Sequence, residues 1–287
     1  MLQEASPFYP EPTPQEEIKA QRVNAAASVS FECDKADGTK LSTLYQKGSA
    51  KIRFPKSYDD FNEAVLINTA GGLTGGDKFD WKISLNERAK VVVSTQACEK
   101  AYRASSGVAR VQTKIEVADK AELHWLPQET ILYEHSALSR RFDVSLTGDA
   151  RFLAVEAVMQ GRQAMGETIQ SCYFQDRWRI RCDGKLIFAD DIRLDGDIPL
   201  VEQQTALMAD NKAVASLLYV GPEDDELLNR HLIDIRAAVS GSLCAFSAFN
   251  NKITGRFLAP DTYSLRRDLV AVLKLLRGRE LPKVWRL

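Results

Sequence analysis

Three stretches of this chain can be written beneath one another without a gap: residues 82–95, KISLNERAKVVVST; residues 114–127, KIEVADKAELHWLP; and residues 143–156, DVSLTGDARFLAVE. Each runs apolar-x-apolar, breaks over three polar residues, and resumes as Ala-x-apolar. The apolar columns are Ile83, Ile115 and Val144; Leu85, Val117 and Leu146; Ala89, Ala121 and Ala150; and Val91, Leu123 and Phe152. Period-two alternation on both sides of a polar break marks strand, turn, strand. A copy spacing of roughly 30 residues falls where repeated units stack, each covering an apolar face its neighbour cannot bury alone. The shared alanine supports stacking, because a small side chain at a corner lets successive layers approach closely. Residues 179–188 read as a degenerate fourth copy. The expected fold is therefore mainly β, β-helical or solenoid-like, with stacked strands and a few helices mostly in the C-terminal third.

Outside the repeats the character changes. Residues 222–239 place Leu228, Leu232, Ile235 and Val239 at helical spacing behind an acidic first turn, which predicts a helix. Residues 242–249 and 253–258 read as a hairpin across Asn250-Asn251. A second helix is expected over 261–277, with Leu265, Leu269, Leu273 and Leu276 on one face and Arg266, Arg267, Lys274 and Arg277 on a solvated other face. Prolines 7, 10, 12 and 14 mark residues 1–20 as a flexible Pro-rich tail, leaving 21–287 as a single β-rich domain.

Composition narrows the function. Hydrophobic residues are 45% and charged residues 27% of the 287, and the formal net charge is -1, so no global field recruits nucleic acid or membrane. Five scattered cysteines, never spaced Cys-x-x-Cys, fit neither a disulfide framework nor a zinc ribbon and suit a reducing cytoplasm. No apolar run approaches the ~18 residues of a membrane span.

The glycine-rich loop at 68–78, NTAGGLTGGDK, raises the question of a phosphate cradle. A phosphate-binding loop of the Gly-x-x-x-x-Gly-Lys-Ser/Thr type needs lysine where Asp77 stands, and a carboxylate there repels the anion. A strand is predicted to follow, not the helix whose N-terminus binds pyrophosphate. Two uses remain: close backbone packing, or presentation of Asp77 to a ligand. The three histidines, His124, His135 and His231, form no ligand or catalytic pair. If the copies stack, the segments that follow them overlie one another and gather Cys98, Glu99, Glu129, Glu156, Met159, Met165 and Glu167 along one side. Such a row suits loose, exchangeable contact with a divalent cation. The alternative is that these acids pair with Lys100, Arg103, Arg140 and Arg162 as ordinary salt bridges.

Five strings, INTAGGLTGGD at 67–77, STQACEKAYR at 94–103, LPQETI at 126–131, GRQAMGE at 161–167 and LPKVWR at 281–286, together resemble the urease accessory protein UreD family, called UreH in some bacteria. The resemblance runs in order from about Gln21 to the last residue; Cys98 stands where alanine is more usual. It implies a β-helical, non-enzymatic scaffold that acts with UreF and UreG on the urease apoprotein and helps insert nickel, with no tightly bound cofactor and only transient nickel. On the family's motif positions it marks Asp77, Glu129 and Glu167 as lining a nickel path; Glu156 and Cys98 join them from the stacking reading alone. Two other readings stand beside it: a β-helical polysaccharide-cleaving enzyme using two acids, and a pure interaction scaffold with no metal contact.

Overall fold

The computed structural model describes residues 21–34, 38–56, 60–161, 166–223 and 225–286; the Pro-rich segment 1–20 lies outside them. The chain opens with β1 (Asn24–Asp34), β2 (Gly38–Lys47), β3 (Ala50–Arg53) and β4 (Asn62–Asn68). The three aligned copies then become three strand pairs. These are β5 (Lys78–Leu85) with β6 (Lys90–Thr95), β8 (Ala109–Val117) with β9 (Glu122–Leu126), and β11 (Ala137–Leu146) with β12 (Arg151–Gln160). Short strands β7 (Glu99–Ala101) and β10 (Thr130–Leu132) follow the first two pairs. The first member of each pair joins one sheet, A, and the second joins another, B, and within each sheet these strands run parallel.

The hydrogen-bond register is the sequence alignment. Ile83 pairs with Ile115 and Ile115 with Val144 in sheet A, while Val91 pairs with Leu123 and Leu123 with Phe152 in sheet B. The polar breaks are the corners where the chain passes between sheets, and Ala89, Ala121 and Ala150 are buried just beyond them. Parallel strands buried on both faces lose polar alternation, and β6 and β12 are almost continuously buried.

The degenerate fourth copy behaves differently. β13 (Ser171–Cys182) extends the parallel stack, with Val144 against Ile180, but β14 (Lys185–Asp197) folds back antiparallel within sheet A. The connection is the two-residue turn Asp183-Gly184, φ 47° and 78°. Such a turn returns a strand to its own sheet, whereas the four residues between strand ends at each corner let the chain cross to the other.

After α1 (Ile198–Gln203), β15 (Ala213–Val220) adds antiparallel to β12, and β16 (Leu243–Phe249) and β17 (Lys252–Ala259) complete sheet B as a hairpin. Its turn residues Asn250 and Asn251 both have positive φ, as the sequence predicts. Helices α2 (Asp225–Ala238) and α3 (Thr262–Arg277) cover the outer face of sheet B. Asp261 caps α3 by accepting from Ser264 N at 2.7 Å, and Gly278 ends it with φ 62°. The result is three layers and two cores, one between the sheets around Leu123, Phe152 and Trp178 and one between sheet B and the helices around Leu153, Leu217 and Leu269.

One expectation about α3 is corrected. Arg277 is buried and Arg266 half-buried, so these two do not lie on a solvated face. At about 100° per residue Arg266 falls about 20° from Leu273, and Arg277 about 40° from it; both belong to the inward stripe.

The glycine-rich loop packs as a spacer between turns of the solenoid. Leu73 bridges in parallel to Ala101. A Cβ on Gly72 would lie 2.3 Å from the Tyr102 ring, and one on Gly75 would lie 2.3 Å from the Ser106 carbonyl oxygen. Strand β5 follows it, as expected. Among the described residues no helix is long and apolar enough to cross a membrane.

Candidate functional site

Strand parity brings charge into the space between the sheets. On β12, Phe152, Ala154 and Val158 face sheet A, and Glu156 shares their parity. On β11 the inward set is Leu138, Arg140, Phe142, Val144; on β13 it is Cys172, Phe174, Asp176, Trp178. Arg140 and Asp176 are also register partners in sheet A. A guanidinium and two carboxylates therefore meet in an otherwise apolar layer.

Arg140 Nη1 donates to Glu156 at 2.5 Å and to Thr130 Oγ1 at 3.0 Å, and Nη2 donates to Asp176 at 2.7 Å. Trp125 Nε1 donates to Glu156 at 2.8 Å and Trp178 Nε1 to Asp176 at 3.1 Å. The Arg140 guanidinium lies 5.2 Å from the Phe174 ring centroid. Burial pushes the Glu156 carboxyl above its ordinary range and nearby Asp176 adds to this, with Arg140 opposing. Burial also works against the Arg140 charge, but Asp176 and Glu156 outweigh it and raise that pKa. Burial thus sets the direction for Glu156, and the two neighbouring carboxylates set it for Arg140.

This cluster forms one wall of a cavity of about 250 Å³. Trp81, Trp125, Phe79 and Phe142 supply apolar wall; Glu99, Lys100, Arg141, Gln128, Cys98 and Asn68 are among the polar residues that line it. Glu99 accepts from Asn68 Nδ2 at 3.2 Å and from Lys100 N at 3.0 Å, and burial raises its pKa. Among the described residues, Arg140 Nε and Gln128 Nε2, buried atoms of two residues that line the cavity, have no hydrogen-bond partner.

At the adjoining corner Glu129 is buried and bound by Arg266 Nη1 at 2.9 Å. Arg266 also donates to Gln128 Oε1 at 2.8 Å and lies 4.9 Å from the Trp285 ring centroid, joining α3 and the C-terminal string to this corner. Cys98 Sγ donates to Glu129 at 3.5 Å. Burial, with Glu129 next, pushes that thiol up to about 11, so it is protonated and a poor metal ligand as it stands.

Of the five residues singled out from the sequence, Cys98 and Glu156 line the cavity and Glu129 touches Cys98 beside it. Asp77 does not line it: its oxygens accept from Val23 N and Thr74 N, each at 2.8 Å, tying the glycine loop to the start of β1. Glu167 accepts from Glu134 N at 3.4 Å, also away from the lining. Residues 162–165, including Met165, lie outside the described set. The salt-bridge alternative holds for Glu156 with Arg140, while Glu129 pairs with Arg266. Sequence reading missed Asp176 and placed Arg266 on a solvated face, while it named Arg140 only as a salt-bridge partner of the acids. The missing signal was a charge on the apolar parity of a strand, or within the apolar arc of a helix. Among the described residues no three His, Cys, Asp or Glu side chains gather closely enough to hold a metal ion.

A family model described as UreD urease accessory protein matches residues 23–286. The chain belongs to the UreD family. Curated UreD relatives agree over most of their length. The urease accessory protein UreD of Rhizobium leguminosarum bv. viciae is 48% identical over 250 residues, 87% of this chain and 90% of the relative. That of Agrobacterium fabrum is 44% identical over 87% of this chain and 86% of its own length. Urease accessory protein UreD 1 of Brucella melitensis is 43% identical over 272 residues, 93% of this chain and 95% of the relative.

Proposed function

We propose that this protein is a urease maturation factor, a non-enzymatic cytoplasmic scaffold that joins UreF and UreG on the urease apoprotein and gives nickel a polar passage toward it. Membership of the UreD family supports the urease connection. The observation that carries the passage is the charged cavity between the sheets, where Glu99, Glu156 and Asp176 line the walls together with Lys100, Arg140 and Arg141 and the corner of Cys98 and Glu129 lies beside it. Carboxylate and water ligands hold divalent ions weakly enough for transit. Asp77 and Glu167 serve this reading as braces of the loops at its ends.

The same geometry argues against acid–base hydrolysis. Glu156 and Asp176 share one arginine, and a general acid and base need separate environments that part their pKa values. The test is co-purification of this chain with UreF and apo-urease, followed by nickel counting on the released urease. Assembly with nickel loading is expected. Assembly whose nickel content ignores every cavity acid would reduce the protein to a pure interaction scaffold.

A further inference from the structure

We propose that the acidic N-terminal segment, residues 1–20, docks on the outer face of sheet A, its glutamates on the basic pairs of β5 and β8 and its aromatic string Pro7-Phe8-Tyr9-Pro10 in the hollow beside Tyr45. The inference is independent of the nickel reading.

The face comes first. Helices cover the outer side of sheet B, whereas the outward side chains Lys78, Lys82, Arg110 and Lys114 of sheet A are all exposed. Parallel sheets are ordinarily covered on both faces. Register sets these cations side by side, Lys78 against Arg110 and Lys82 against Lys114, and like charges directly opposite one another are destabilising. The acids at the outward positions of the same two strands are Asp80 and Glu116, and Glu116 is engaged by Lys82 at 3.1 Å. Among the described residues Lys78, Arg110 and Lys114 make no ion pair. The whole chain has a net charge of -1, so this basic excess is local to the face.

The hollow is the second observation. Tyr45, Ser28, Lys82 and Lys114 form one row across four strands. Ser28 and nearby Ala26 are too short to fill the row, which leaves a hollow of about 320 Å³ between the exposed Tyr45 ring and the two lysines. An aromatic ring seated there meets two ammonium groups, a favourable pairing.

The segment supplies the complement and starts in the right place. Residues 1–20 carry Glu4, Glu11, Glu16 and Glu17 against Lys19. They lead into β1, whose first residue, Asn24, is the register partner of Lys78. A proline-rich chain spans about 3.1 Å per residue, so Tyr9 reaches about 37 Å from Gln21. The hollow lies about 13 Å along β1 from Asn24 and within about 10 Å across two strands.

The test uses the full chain. A carbodiimide, which joins carboxylate to amine without a spacer, is expected to link Glu11, Glu16 or Glu17 to Lys78, Lys82 or Lys114, read by mass spectrometry; mixing isotope-labelled and unlabelled chains is expected to place the link within one chain. In the variant Glu4→Gln, Glu11→Gln, Glu16→Gln, Glu17→Gln, acetylation of those three lysines by acetic anhydride is expected to rise at least threefold, with Lys120 and Lys185 unchanged. The wild type in 1 M NaCl, where charges are screened within about 3 Å, is expected to show the same rise. Phe8→Ser with Tyr9→Ser is expected to raise acetylation of Lys82 and Lys114. Unchanged lysine reactivity in either variant overturns the proposal, as do links scattered evenly over Lys120 and Lys185. Links found only between chains overturn it in favour of a second copy. Protection that appears only when UreF or apo-urease is added overturns it in favour of an acidic partner surface.

Discussion

His124 and Trp125 are neighbours on β9 and face opposite ways. Trp125 points between the sheets and donates to Glu156 at the cavity. His124 points outward beneath α3, where Arg277 Nε donates to its Nδ1 at 3.0 Å, Glu122 bonds its Nε2 at 3.0 Å, and Phe61 stacks on its ring at 4.7 Å. Both sites are buried and built on arginine. The outer one is filled: Arg277, Arg279 and Lys90 surround the Phe61 ring, and Asp60 accepts from both Lys90 and Arg279. The inner one keeps a cavity of about 250 Å³. Packing to completion makes a fastener for the C-terminal helix, whereas incomplete packing around shared charge makes a place where an ion can pass.

That contrast breaks most visibly at Phe61. Phe61→Ala removes a fully buried ring and is expected to lower unfolding stability by about 4 kcal/mol, read by urea denaturation, while Trp125 emission in the folded protein stays unchanged. Next come the two arginines. Arg140→Met and Arg266→Met each strand buried acid and are expected to cost about 3 kcal/mol. Thermal melting of each variant beside the wild type checks both.

The pH dependence of stability sharpens the comparison further. Burial lowers the His124 pKa, so the folded state stays neutral while the unfolded chain takes up a proton below about 6.5. Stability from this group is therefore lost as pH falls through that value. Glu156 has the opposite sign: its pKa is raised, the folded state holds the extra proton, and its contribution grows as pH falls from neutral toward the ordinary carboxylate value. His124→Asn should leave stability rising between pH 7 and 5, and Glu156→Gln should leave it falling; the same slope in both would remove the distinction. The smallest effect belongs to Asp60, whose pKa is lowered to about 2 by Lys90, ahead of Arg279, against burial. Its contribution is present above the unfolded carboxylate value and is lost as pH falls through about 2. Because the pair is half-exposed, Asp60→Asn is expected to cost under about 1 kcal/mol in urea titration at pH 7.

Much of the fold is legible in the repeats because parallel stacking puts like on like: each apolar column of the alignment is a ladder of register partners. The exit of the fourth copy was less legible, since a hairpin and a corner differ only in whether two or four residues separate the strands. At the site, Glu156 and Cys98 were reached by asking which segments overlie one another. Arg140 and Asp176 were equally accessible by parity, because each stands alone as a charge in an inward apolar series. The cap that Asp77 makes to Val23, and the reach of Arg266 from α3 to Glu129, join parts of the chain that no local period connects.

The account stands on the inter-sheet acids acting in nickel passage while taking no part in assembly. The most direct measurement is the nickel content of urease released from the complex of UreF, UreG, apo-urease and the Glu156→Gln variant. Intact assembly with nickel per urease reduced at least fivefold is the predicted result. Intact assembly with full nickel content would contradict it.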